Sequence, residues 1–199
     1  MTAAADPIGL IHSALDESAR VKLALREMAP DVLHVATRIA DAFRAGKRLY
    51  ACGNGGSACD AMHLVEELVA RYKRDRPGLP AHHLLDAATL TCWSNDYDFA
   101  SVFSRQVEAM VQQGDVLVAI STSGGSANVL AAVEAANARG AVTVGLLGRG
   151  GGRMAALCTD PLVVPADATE RIQEAHITLI HLLCELVERD LFPSAVTGG

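Results

Sequence analysis

Rings are scarce in this chain: aromatic residues fill 4% of its 199 positions, so the core has to be assembled from Ala, Val, Leu and Ile. A basic excess is missing as well. The formal net charge of -6 excludes a nucleic-acid binder that works through a broad field of Lys and Arg. It leaves room for a small phosphorylated ligand, which needs only a local nest of donors such as a helix N-terminus. The five cysteines, Cys52, Cys59, Cys92, Cys158 and Cys184, form no CxxC pair and are odd in number, and no charged-then-apolar leader precedes them. A reduced, cytoplasmic setting is the expectation. No apolar run reaches the roughly 18 to 20 residues that cross a bilayer, so no membrane association is expected.

What the chain does have is apolar bulk, 50% of its residues, enough for one domain and too little length for two ordinary ones. Ile8, Ile11, Leu15, Ala19, Leu25 and Met28 recur near helical spacing and predict an amphipathic first helix. Pro30 and Asp31 break and restart the chain, and a second helix is expected from about Asp31 to Ala45, ending at Gly46. Strand candidates follow at Arg48–Cys52, Asp115–Ile120, Val142–Leu147 and Pro161–Val164. The first runs through Gly-Asn-Gly-Gly-Ser into a helix from about Ala58 to Tyr72, and the second through Ser-Thr-Ser-Gly-Gly-Ser into a helix from about Ala127 to Arg139. A long helix from about Thr169 to Arg189 closes the chain. Strands with no wet face alternating with helices imply an α/β fold, a parallel sheet covered on both sides, with ligands at the carboxyl ends of the strands. Both Gly/Ser loops fall there. The Arg71–Pro80 stretch reads as a surface loop and the tail after Pro193 as frayed.

The loop from Ser121 to Ser126 gathers three serine hydroxyls, that of Thr122 and the free N–H groups of a starting helix, a composition that suits a phosphate dianion. It equally suits a capped turn in which Ser126 caps the next helix. The loop from Gly53 to Ser57 lacks the lysine of a Walker motif and the spacing of a dinucleotide fingerprint; Asn54 offers donor and acceptor to sugar hydroxyls, while Gly55 and Gly56 let backbone approach a ligand. His63 and Glu67 share a helix face as metal ligands would, or as a half-buried polar pair would. Gln173 and His181 stand eight residues apart on the last helix, roughly 12 Å along its axis, where leaning side chains just meet at one ion. His176, between them, reads as supporting rather than ligating, and Arg71 is the nearest candidate cation. Taken jointly, these are the parts of an aldose-ketose isomerase: a phosphate anchor, a base beside a carbonyl, and an acid or metal to steady an enediolate.

The stretches CGNGGSACDAMHLVEEL (Cys52 to Leu68), SNDYDF (Ser94 to Phe99), ISTSGGSANV (Ile120 to Val129) and RIQEAHITLIH (Arg171 to His181) resemble the sedoheptulose 7-phosphate (phosphoheptose) isomerases of the SIS-domain class. The resemblance covers nearly the whole chain. It implies one SIS domain over 1–199, a three-layer α/β sandwich with a five-stranded parallel sheet: a helical pair over 1–46, the sandwich over 47–192 and a frayed tail over 193–199. It further implies a homotetramer with sites at subunit boundaries. Zinc would be held by His63, Glu67, Gln173 and His181, with Glu67 also the general base and His181 the general acid. Ser121, Thr122, Ser123 and Ser126 would hold the phosphate of a seven-carbon sugar, and Asn54, Gly55, Gly56, Asn95, Asp96 and Gln173 would line its chain. The implied reaction takes sedoheptulose 7-phosphate to D-glycero-D-manno-heptose 7-phosphate through an enediol, for bacterial surface glycans. Two positions depart from the family's pattern: Gly125 stands where Asn is usual, and Glu170 where Asp is frequent. Related SIS proteins serve as scaffolds for a replication initiator, or sense sugar phosphates. The scaffolds replace the residues at the positions of Glu67 and His181, both of which stand here.

Overall fold

A computed structural model describes residues 6–193. Five strands, β1 (Leu49–Gly53), β2 (Ala81–His83), β3 (Val116–Ser121), β4 (Val142–Leu147) and β5 (Asp160–Val163), form one parallel sheet in the order β2-β1-β3-β4-β5. Side chains alternate across a strand. Leu49 and Ala51 of β1, Val116, Val118 and Ile120 of β3, and Val144 and Leu146 of β4 therefore enter one core, and Tyr50, Cys52, Leu117, Ala119 and Leu147 enter the other. The first core is closed by α2 (Ala29–Arg44), α3 (Gly56–Val69) and α7 (Thr169–Leu191), with α1 (Pro7–Ala24) outside them. The second is closed by α5 (Val102–Met110) and α6 (Ala127–Ala138), with α4 (Ala87–Asp96) beside them.

The four strands read from the sequence all form, each within a residue or two of its expected bounds. β2 carries no such signal, because it is a three-residue edge strand whose two histidines are exposed. α4 is equally silent: none of its residues is buried, so it has no apolar period to read. The first helix ends at Ala24 and passes through a 3-10 turn, Leu25–Met28, into α2, where Pro30 occupies an early position that needs no N–H donor. Its apolar stripe divides. Val21 and Leu25 bury, whereas Ile8, Ile11 and Leu15 remain more than half exposed.

The helix expected to reach Tyr72 stops at Val69, because the following loop satisfies its last carbonyls from outside the helix: Arg76 donates to Glu67 O and Leu68 O, each at 2.8 Å. All five cysteines are free, and burial pushes the Cys52, Cys158 and Cys184 thiols up to about 12, which leaves them as small inert hydrophobes. Among the described residues no helix is long and apolar enough to cross a membrane. The tail expected to fray lies, past Pro193, outside the described residues.

Candidate active site

Two loops leave neighbouring strands at the carboxyl edge of the sheet. The first follows β1 and opens α3; the second follows β3 and opens α6. Neither helix, nor α7 after β5, has a side chain capping its first turn, whereas Asp6 and Asp86 cap α1 and α4. Ser126 occupies the cap position of α6, yet its hydroxyl lies 3.0 Å from that of Ser121 and does not cap the helix. Ser121 is buried, Thr122 and Ser126 half-buried and Ser123 exposed, with Ser123 Oγ accepting from Gly125 N at 3.2 Å. The loop's shape is set from below by Gly124, at φ 60°, where a side chain would collide with the carbonyl of Gly151.

Asn54, in the first loop, exchanges two amide hydrogen bonds with Asn128 of α6 at 2.8 and 2.9 Å. This pair staples the loops of the two faces together. Asn128 was not singled out from the sequence, although an amide in the first turn of an Ala/Val-rich helix is a signal that a partner awaits it. Gly55 and Gly56 are exposed beside it, and a side chain at Gly56 would overlap the amide of Gln173.

His63, Glu67 and His181 converge where α3 and α7 run alongside each other. His63 Nε2 lies 3.1 Å from His181 Nε2 and 3.3 Å from Glu67 Oε1, and one ligand atom from each residue falls within 4.8 Å of the others. Two imidazole nitrogens and a carboxylate oxygen are a zinc donor set, and ligand atoms at tetrahedral zinc distances stand about 3.3 Å apart. The structure therefore fits a metal at this point. Gln173 lies two turns before His181, with its amide against Gly56. Tyr72, also not foreseen, stacks on the His181 ring at 5.8 Å, and with Lys73, Glu185 and Arg189 it lines a cavity of about 360 Å³ that His181 faces. Asp60, one turn before His63, is buried with Oδ2 unpartnered; burial pushes its carboxyl up to about 6, against the pull of His63.

Other candidates stand elsewhere. His176 is fully buried on the sheet side of α7, with Nε2 3.1 Å from Leu147 O, so it supports the core and does not join the three. Arg71 is exposed just past α3. Asn95 and Asp96 are exposed at the end of α4, bonded to each other at 2.9 Å. A cavity of about 960 Å³ between β2, α4 and α5 is lined by none of the residues expected at the site and, among the described residues, holds no such convergence of ligating groups.

The SIS domain family profile matches residues 15–148. The chain is 52% identical over 168 residues to the phosphoheptose isomerase of Geotalea daltonii, covering 84% of this chain and 88% of that one. It is 51% identical over 172 residues to that of Pelobacter propionicus, covering 86% and 91%. Its fold superposes on the structure of phosphoheptose isomerase from Neisseria gonorrhoeae with a TM-score of 0.87 at 39% identity, covering 92% of this chain and 99% of that one. The corresponding values for the enzyme from Francisella tularensis are 0.89 at 33% identity, with 92% and 99% covered.

Proposed function

This chain belongs to the phosphoheptose isomerase family of SIS-domain proteins and is an aldose-ketose isomerase of heptose biosynthesis; we propose that Glu67 and His181 carry its reaction on sedoheptulose 7-phosphate. The observation that carries this reading is the convergence of His63, Glu67 and His181 where α3 and α7 run alongside each other. Ser121, Thr122, Ser123 and Ser126, with the first turn of α6, bind the phosphate. Asn54, Gly55, Gly56 and Gln173 line the carbon chain between the loops and α7.

Glu67 removes a proton from C1 while His181 gives one to the oxygen at C2, which leaves an enediol. His181 then takes the proton from the oxygen at C1 and Glu67 returns its own to C2, so the ketose becomes D-glycero-D-manno-heptose 7-phosphate with no net gain or loss of atoms. His63, Glu67 and His181 would hold zinc, with Gln173 as a fourth ligand. Zinc there supplies a Lewis acid for the oxygens of the reacting carbons. The protein works in the cytoplasm as a homotetramer with sites completed at subunit boundaries. Supporting this are the exposed Ile8, Ile11 and Leu15 on α1, an apolar face for another copy, and the exposed α4 that carries Asn95 and Asp96.

Purified protein with zinc is expected to convert sedoheptulose 7-phosphate to the aldose. Glu67→Gln is expected to stay folded and lose about a hundredfold to ten-thousandfold in rate. Unchanged turnover in that variant would remove Glu67 as the base.

A further inference from the structure

The loop after α3 is held by an ion pair that is almost wholly out of water. The side chains of Arg76 and Glu188 are 2% and 3% exposed, with Arg76 Nε 3.1 Å from Glu188 Oε1. The Glu188 carboxylate also accepts from the backbone N–H of Lys73 at 2.9 Å and of Arg74 at 3.1 Å. The remaining guanidinium nitrogens donate to Glu67 O and Leu68 O at 2.8 Å and to Pro77 O at 3.1 Å. One buried pair thus grips both the backbone of Glu67 and Leu68, at the end of α3, and that of Lys73 and Arg74, which follow Tyr72 on the His181 ring.

Ending a helix does not require this. α2 and α6 of the same chain end at Gly46 and Gly140, whose left-handed backbone, φ 71° and 72°, does it without a buried charge. Taking two charges out of water opposes their attraction, so a buried pair is a weak source of stability and its gain lies in fixed geometry. Burial works against ionisation of Glu188, yet the donors from Lys73, Arg74 and Arg76 hold its carboxyl below the usual range. One arm of the pair ends at the backbone carbonyl of Glu67, the other at the backbone N–H groups of Lys73 and Arg74, which directly follow Tyr72, the residue stacked on His181.

We infer that Arg76 and Glu188 are positioning residues for the isomerase, a clamp that fixes Glu67 and the Tyr72–His181 stack relative to each other. The inference rests on the isomerase reading given above. A displacement of reacting groups on the order of 1 Å is enough to cost up to about a hundredfold in rate. The phosphate anchor, on the other face of the sheet, is not touched by the clamp.

The test uses full-length Glu188→Gln and Arg76→Lys, with retained fold and a melting temperature above the assay temperature confirmed first. At saturating zinc, kcat for sedoheptulose 7-phosphate is expected to fall about tenfold or more while KM stays within about threefold of wild type. Wild-type kcat in the folded variants overturns the clamp, and so does a loss confined to KM. Zinc titration gives a readout free of turnover: the Kd of Glu188→Gln is expected to rise at least about fivefold through the displaced Glu67 and His181. Should the wild type turn over no sedoheptulose 7-phosphate, the isomerase reading falls by itself, and equal zinc Kd in the two proteins then overturns the clamp. If neither variant folds, hydrogen exchange of the wild type decides, with Lys73 and Arg74 amides protected like those inside α7 if the clamp holds and exchanging at open-loop rates if it does not.

Discussion

The two faces of the sheet are built differently. On the face of α2, α3 and α7, polar side chains are taken into the interior: His176 against Leu147 O, Asp60 with an unpartnered oxygen, and the Arg76–Glu188 pair. On the face of α5 and α6, the polar side chains taken inside are neutral and hydrogen-bonded, Gln106 to Leu84 O and Val102 O, Asn128 to Asn54 and Thr143 to Asn137, and the loop is shaped by backbone and glycine. The first face carries the groups proposed to meet the reacting atoms. The second opens on the serine loop proposed as the phosphate anchor, which needs only hydroxyls and a helix N-terminus. The buried ion pair lies on the face that holds the proposed catalytic groups.

Separating the two faces experimentally has its largest effect through the metal. Chelation is expected to lower turnover about a thousandfold or more, reversed by zinc, while sedoheptulose 7-phosphate still raises the melting temperature of the metal-free protein through the serine loop. Loss of that shift on chelation would show that the faces do not act separately.

Next in size is acid sensitivity of the first face. Burial lowers the His176 pKa from 6.5 to about 4, with the bond to Leu147 O opposing it. The unfolded chain therefore binds the proton first as pH falls: the His176 contribution is whole above about 6.5 and shrinks down to about 4, by about 3 kcal/mol in all. Urea unfolding at the two ends of this range, compared between wild type and His176→Gln, measures it. Asp60, raised to about 6, gains stability over the same fall in pH and cancels in the difference. Equal pH slopes in the two proteins would mean His176 is not held neutral.

The second face is probed by Ser126→Ala, which removes a hydroxyl expected to meet the phosphate and to leave the fold alone. A hydrogen bond to a charged group is worth about 1.5–3 kcal/mol, so KM is expected to rise about tenfold or more with kcat little changed. A fall in kcat at constant KM would move Ser126 into the chemistry. The smallest effect belongs to Gly125→Asn. Gly125 is outside the left-handed region, and the nearest atom to an added Cβ is Ser123 Oγ at 3.7 Å, so the substitution is expected to leave KM within about twofold and to raise stability by at most about 1 kcal/mol. Calorimetry and steady-state kinetics check both parts.

The same contrast governs what the sequence made legible. The β1 and β3 units announced themselves through continuous apolar runs leading into Gly/Ser loops, because a strand buried on both faces has no polar alternation to hide it. β2 and α4 were silent, since an edge strand of Ala81, His82 and His83 and a helix with nothing buried carry no hydrophobic period. The His63–Glu67 pair was legible as a helix face, but its meeting with His181 depends on how α3 lies against α7, which local spacing does not fix. Tyr72 and Asn128 were illegible for a related reason: each acquires its role from a partner more than 70 residues away, His181 in one case and Asn54 in the other.

The central claim is that one sugar phosphate spans both faces. It is tested most directly by a crystal structure of Glu67→Gln with bound zinc and sedoheptulose 7-phosphate. The account predicts the phosphate within hydrogen-bonding distance of the Ser121, Ser123 and Ser126 hydroxyls, with C1 and C2 beside residue 67 and His181. A phosphate seated elsewhere, for instance in the cleft between α4 and α5, or a C1–C2 bond pointing away from both residues, would contradict it.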